Sequence, residues 1–337
     1  MRVGIIGTGA ISAKHALAYH NLGFAITACN NATISKGKAF AEAHEAEFVS
    51  TAEELVRHPK VDYVDLCTFP DFRLEVMELC ARYRKHLLVQ KPMATNLETA
   101  QRMIDLAAQS EIQLGVVSQH RFDDATIFLK QAIADGHLGR IVQANAYVPW
   151  YRSPEYYSRP IKASWSVEGG GALINQGIHE ADLLLYLAGP VTRVSADWQL
   201  GGVHAIESED SINATLRFAS GALGLIQAST ALWPGYPERL ELHGTKGSAI
   251  ITGDKLTSWD VQQDSGEPAP LASAVASGAS DPMAISVVPF ERQFQDFAEA
   301  CETGRPPLCS GKDGYLALQL VLSAYESCRT DAPVSVG

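Results

Sequence analysis

Two polar side chains stand in apolar company. Lys91 interrupts "HLLVQKPMA", residues 86–94, and His179 interrupts "GGGALINQGIHEADLLLYLAG", residues 169–189. An imidazole titrates near ambient pH, so it can take a proton from an oxygen or return it. A lysine ammonium can orient a hydroxyl and stabilise the alkoxide that develops on it. At helical spacing His179 falls with Asn175, Asp182 and Tyr186 on a polar stripe, opposite an apolar face of Ile174, Ile178, Ala181, Leu185 and Ala188. A histidine on an apolar helix is more often a satisfied core residue. The polar stripe weighs against that reading here, and the run of three glycines is expected to let a cofactor or substrate approach the helix start. Asn175 can orient the imidazole but, unlike a carboxylate, cannot stabilise imidazolium by charge.

A third stretch carries binding chemistry. "VGIIGTGAIS", residues 3–12, places Gly7 and Gly9 between a strand and a helix. Glycine fits the tight turn and lets the backbone approach a pyrophosphate, which the helix N-terminus stabilises. Ser12 stands where the fingerprint expects a third glycine, a position that governs helix–strand packing more than phosphate contact. The next strand ends in Asn30 and Asn31 instead of the acid that binds the adenosine ribose, and Ser35, Lys36 and Lys38 follow. The missing negative charge favours NADP over NAD, although the two lysines also suit a plain solvated helix face.

These residues need elements to hold them. The first 120 or so residues alternate strand-like and helix-like runs: "RVGIIG", 11–21, "FAITACN", "KGKAFAEAH", "VDYVDLCT", "LEVMELCARYR", "HLLVQ", "NLETAQRMIDLAAQS" and "IQLGVVSQ". Such alternation means βαβ units and a parallel sheet. Lys91 then lies at the C-terminal end of a parallel strand, where open α/β sheets bind ligands. Thr95 or Asn96 should cap the helix that follows, with Glu98 placed for a capping box from Thr95. After Arg121 come a helix ("DATIFLKQAIADG"), a strand ("GRIVQANAYVPW"), an aromatic loop and the helix of His179. The runs "VTRVSADWQL", "SINATLRFAS", "ALGLIQAST", "ERLELHGTKGSAIITG" and "KLTSWDVQ" lack intervening helices, so their sheet should be antiparallel, with "HGTKGS" a hairpin turn. Residues 263–284 read as a surface loop, and helices are expected at 289–303 and 313–328.

Composition narrows the class. The 337 residues suggest two domains, 1–121 and 122–337. A net charge of −11 argues against nucleic acid and anionic membrane surfaces as partners. No run is long enough to span a membrane, and the N-terminus reads as a strand and not a signal peptide. The six cysteines form no CxxC pair and no metal-like cluster, so no metal is expected, and they suit a reducing cytoplasm.

"GTGAIS", "LLVQKPMATNLETA", "EGGGALINQGIHEADLLLYLAG" and the ending "GYLALQLVLSAYESC" occur in order. Together they resemble the family of glucose–fructose oxidoreductases, inositol dehydrogenases and MocA-type proteins, over essentially the whole chain. The resemblance implies an N-terminal Rossmann domain, and a C-terminal α+β domain with a large, open, mainly antiparallel sheet. It implies that Lys91 and His179 reach the nicotinamide ring and that Pro92 follows a cis peptide. The chain departs from the family in Gln90, where Glu is usual before Lys-Pro, and in Asn175, where Asp is usual.

The implied activity is hydride transfer between NAD(P) and a sugar, cyclitol or related polyol. Lys91, His179 and Asn175 form the catalytic set. Gly7, Thr8, Gly9, Ala10, Ile11, Asn30, Asn31, Thr68, Phe69, Pro70, Gln90 and Lys91 form the cofactor set. Arg121, Trp150, Tyr151 and Trp165, with Lys91, Asn175 and His179, form the substrate wall, joined in the aromatic loop by Arg152. Ordinary packing is the competing reading of the wall residues. A homodimer or homotetramer is expected from the exposed face of the second sheet. Some members of the family are non-catalytic sensors, and one branch uses NAD to hydrolyse glycosides.

Overall fold

The computed structural model describes residues 1–159, 161–262, 269–272, 277–279 and 285–337. The chain forms two compact units, Met1–Gln119 with Val287–Tyr315, and His120–Ser286 with Leu316–Gly337. A single cut after residue 121 does not describe this division, because 287–315 return to the first unit.

The first unit is built from β1 (Arg2–Ile6), α1 (Ala10–Asn21), β2 (Ala25–Asn30), α2 (Ile34–Ala43), β3 (Glu47–Phe48), α3 (Ala52–Arg57), β4 (Tyr63–Leu66), α4 (Arg73–Tyr83), β5 (His86–Val89), α5 (Leu97–Ser110) and β6 (Leu114–Val116). The strands form one sheet in the order β3-β2-β1-β4-β5-β6. Every pair is parallel. The order reverses between β1 and β4, which opens a crevice at their C-terminal ends. β3 and α3 are too short to show a period in the sequence, yet Thr51 and Glu54 form a reciprocal capping box on α3. The box expected from Thr95 and Glu98 is replaced by a simpler cap. α5 starts at Leu97, so Asn96 is the cap and accepts the Thr99 N–H at 2.8 Å.

Helix α8 (Val288–Thr303) completes this unit. Phe290, Phe294 and Phe297 lie on one helical face and are essentially buried. Phe290 and Phe294 meet the ring of His15, Phe294 stacks on Tyr19, and Phe297 meets Tyr63 edge-on. Each phenylalanine contributes about 2–3 kcal/mol of burial free energy, and that is why the segment returns here.

The second unit holds α6 (Asp124–Ala134), β7 (Ile141–Pro149), α7 (Ile178–Ala188), β8 (Val191–Leu200), β9 (Glu209–Phe218), β10 (Leu223–Ser229), β11 (Arg239–Gly244), β12 (Gly247–Thr252) and β13 (Lys255–Val261). α9 (Gly311–Thr330) begins in the first unit and ends in the second, followed by β14 (Val334–Ser335). The sheet order is β13-β12-β11-β7-β10-β9-β8-β14, antiparallel except for the parallel pair β7–β10. α7 packs on β7 and β11 and also on α6. Its apolar surface is therefore wider than the stripe expected from the sequence. Leu184 and Leu187 are buried, whereas Leu185 and Ala188 are only partly so. The stretch 263–284 lies largely outside the described residues. Within it, Gly278 and Ala279 offer their carbonyls to Arg152 at 2.9 and 2.8 Å.

Candidate functional site

In the first unit the expected cofactor residues gather at the C-terminal ends of β1, β2, β4 and β5. Gly7 adopts φ +92°, and a Cβ there would come 2.9 Å from the Cys67 carbonyl carbon. Gly9 and Ala10 are exposed, and Ser12 is buried with its hydroxyl on the Gly9 carbonyl at 2.6 Å. Asn30 is mostly buried and spends its amide on the Val49 carbonyl at 3.0 Å. Asn31 instead approaches the glycine turn, its Oδ1 3.4 Å from the Thr8 N–H. Asn31, not Asn30, is the side chain set beside the loop.

Lys91 is partly exposed, while Leu87–Gln90 and Pro92–Ala94 are buried around it. The Lys91–Pro92 peptide is cis, as the resemblance implies. Two buried side chains fix this turn. Arg73 donates to the carbonyls of Thr68, Gln90 and Pro92. Burial pulls its guanidinium down to about 9, against the pull of Cys67 and Asp71, so it is still charged at neutral pH. Gln90 accepts the Lys91 N–H at 3.2 Å. Thr68 thus shares one clamp with the lysine turn, and Phe69 and Pro70 follow it directly.

In the second unit, Asn175 and His179 are the only partly exposed residues between Glu168 and Leu184. The rest of the expected stripe divides. Asp182 is buried and holds Arg121 through two bonds of 2.8 and 2.6 Å, and the Arg121 guanidinium lies 4.6 Å from the Tyr186 ring centre. Arg121 is only 4% exposed, which makes it a structural ion-pair partner and not an open wall residue. The turn Leu173–Gly177 is π-helical, so Asn175 and His179 do not keep regular α-helical i, i+4 geometry. Asn175 gives its Nδ2 to the carbonyls of Gly170 and Gly171 at 3.0 and 3.1 Å.

The glycine run serves a different purpose from the one expected. A Cβ on Gly171 would lie 1.9 Å from the Glu209 carbonyl oxygen, and one on Gly170 would lie 2.6 Å from the Tyr325 hydroxyl. The close approach is made by this chain's own residues. Glu209 then caps the helix start, accepting the N–H groups of Gly171 and Leu173 at 2.8 Å each and the Tyr325 hydroxyl at 2.6 Å. Burial pushes the Glu209 carboxyl up to about 7, against these three donors.

His120 meets His179 edge-to-face, with ring centres 5.1 Å apart. Its Nδ1 lies 2.7 Å from Asp123. Burial opposes its charge, but Asp123, with smaller help from Glu180 and Glu238, lifts it to about 9. Trp150 donates its indole N–H to Glu238 at 2.9 Å, and Arg152 lies over its ring. Tyr151 packs edge-on to Trp233. Trp165 gives its indole N–H to the Glu207 carbonyl and packs with Trp198 and Tyr325.

Residues 1–118 match the model described as oxidoreductase family, NAD-binding Rossmann fold, and residues 127–250 match the GFO/IDH/MocA C-terminal domain. The chain belongs to the GFO/IDH/MocA oxidoreductase family. Among other members, the myo-inositol 2-dehydrogenase of Thermotoga maritima is 28% identical across 97% of this chain and 96% of its own length. The 1,5-anhydro-D-fructose reductase of Ensifer adhaerens is 27% identical across 98% of this chain and 96% of its own. The structure of the WlbA dehydrogenase of Bordetella pertussis, in complex with NADH and UDP-GlcNAcA, aligns with TM-score 0.88 at 25% identity, covering all of this chain and 98% of that one.

A dinucleotide suits what this GFO/IDH/MocA chain presents. The N-terminus of α1 has no side-chain cap and no acid in its first turn, so its N–H groups and dipole are available to a pyrophosphate. The Thr8 hydroxyl beside it is buried with no partner among the described residues.

Arg73, Glu209 and His120 are absent from the sequence-based site. Two of them left a signal. Arg73 occupies an otherwise apolar helix face with Val76, Met77 and Cys80, and His120 precedes an aspartate by three residues. Glu209 left none, because its partners lie far away in the chain.

Proposed function

We propose that this chain is an NAD(P)-dependent dehydrogenase or reductase acting on a ring hydroxyl or ketone of a sugar, cyclitol or related polyol. One observation carries the reading: buried runs in both units expose a chemically competent side chain, Lys91 in one and His179 in the other. The bound nicotinamide supplies the redox chemistry. His179 takes the hydroxyl proton in oxidation and returns it in reduction, acting as a base only when neutral. The charged His120 beside it disfavours a second imidazolium and so favours that neutral form. Lys91 orients the hydroxyl and stabilises the developing alkoxide. Asn175 ties the His179 helix to its glycine turn. Trp150, Tyr151 and Trp165 serve as wall residues through their ring faces, their polar atoms being engaged elsewhere. Asn31 leaves the ribose side without a negative charge, which supports NADP at least as well as NAD. The free cysteines suit a cytoplasmic protein, and the outward face of the second sheet suits a homodimer or homotetramer.

The test is a panel of inositols, sugars and anhydrosugars with NAD and with NADP, followed at the reduced-nicotinamide absorbance. Reduced cofactor in proportion to product is expected. Cofactor binding without turnover on any substrate would favour a sensor, and glycoside cleavage without net reduction would favour a hydrolase.

A further inference from the structure

The turn that carries Lys91 ends a chain of buried hydrogen bonds inside the first unit. The Lys91 N–H lies 3.2 Å from Gln90 Oε1, and Gln90 Nε2 lies 2.7 Å from His15 Nε2. His15 Nδ1 lies 2.7 Å from Asp65 Oδ2, which also accepts the Tyr19 hydroxyl at 2.9 Å. His15, Asp65 and Tyr19 are wholly buried, and Gln90 is 6% exposed. The other groups around the imidazole are Cys67, 3.5 Å from Nδ1, and the uncharged rings of Phe290 and Phe294 from α8.

The ends of this chain dictate its protons. A main-chain N–H only donates, so the Gln90 atom facing Lys91 is the amide oxygen. The amide NH2 therefore faces His15 Nε2. An NH2 only donates as well, so Nε2 must offer a lone pair. His15 is then neutral, and its single ring N–H sits on Nδ1 and points at the Asp65 carboxylate.

We propose that Gln90 and His15 are positioning residues, a buried relay anchored on Asp65 that holds the Lys91 main chain and fixes His15 as the Nδ1–H tautomer. The inference rests on the reading of Lys91 as a residue that meets substrate. The relay takes the N–H of the turn, and Arg73 takes the carbonyls on either side of it. Both main-chain polarities are thereby fixed, and only the lysine side chain leaves the buried run.

The experiment is nitrogen-15 NMR of the histidines in the unmodified protein. His15 should show a protonated Nδ1 and an unprotonated Nε2. In Gln90→Glu the carboxylate accepts from both neighbours, which draws a proton onto Nε2. Both ring nitrogens should then be protonated at neutral pH. Gln90→Met, which can make neither bond, should lower kcat on the order of tenfold while changing cofactor affinity far less. A wild-type His15 found as the Nε2–H tautomer or as imidazolium overturns the relay, and so does a neutral ring in Gln90→Glu. Full kcat in Gln90→Met overturns the positioning role. Turnover retained in Lys91→Met would instead overturn the functional reading of Lys91, whatever the tautomer of His15.

Discussion

The Lys91 turn and the His179 helix solve the same problem with side chains of opposite hydrogen-bonding polarity. Each presents a reactive side chain from a buried run and must fix the main chain behind it. At the end of β5 the exposed main-chain polarity is carbonyl, and the clamp is the cation Arg73. At the start of the π turn it is N–H, and the clamp is the carboxyl of Glu209, an acceptor. The turn after β5 leaves the carbonyls of Gln90 and Pro92 to be satisfied, whereas a helix that starts leaves N–H donors. The local backbone thus selects whether the buried clamp donates or accepts. Their histidines differ in parallel. His15 is enclosed on both ring nitrogens, while His120 pairs with Asp123 and turns its ring to His179.

The largest test falls on the first region. Lys91→Met should lower kcat by roughly 100- to 10,000-fold while the dinucleotide dissociation constant changes less than about threefold. Steady-state kinetics with calorimetric titration would measure both, and a variant turning over at nearly the wild-type rate would remove the lysine from the chemistry. Next comes the pair of clamps. Arg73→Met leaves three carbonyls without their donor and should cost about 2–3 kcal/mol. Glu209→Gln sets an amide NH2 against a main-chain N–H and should cost about 1–3 kcal/mol. Urea unfolding of both variants would break the comparison if either proved as stable as wild type.

His120 supplies a pH-dependent test. Its folded pKa, about 9, is raised above the ordinary imidazole value, so its stabilisation is complete below that value and lost as pH rises through 9. Asp123→Asn should flatten that decline, by on the order of 2 kcal/mol across the window. In His120→Gln the acidic limb of kcat/KM should move to higher pH, by up to about one unit, and His179→Ala should abolish the limb together with most activity. A limb unmoved in His120→Gln would uncouple the two rings. The smallest effect belongs to Asn31→Asp, which should weaken NADP about tenfold and leave NAD nearly unchanged. Asn30→Asp should instead destabilise the fold, since its amide holds the Val49 carbonyl.

What the sequence revealed follows the range of the interactions. Apart from the short β3, α3 and β14, the strands, helices and the glycine turn depend on periods of a few residues and on local φ, and they were legible down to the hairpin at Thr245 and Lys246. Lys91 and His179 were legible as polar breaks in apolar runs. Arg73 reaches a carbonyl 19 residues away and Glu209 an N–H 38 residues away, and no local pattern reports such pairings. The π turn has no sequence signature either. The three glycines announced that something must come close, but not that it would be Glu209 and Tyr325.

The late return of α8 has a consequence for synthesis. When the ribosome has released the first 121 residues, every strand of the parallel sheet exists, but the aromatic lid over His15 and Tyr19 does not. The buried relay beneath Lys91 stays wet until Phe290 and Phe294 emerge, more than 160 residues later. The nascent sheet must wait through the making of nearly the whole second unit before its own core can close.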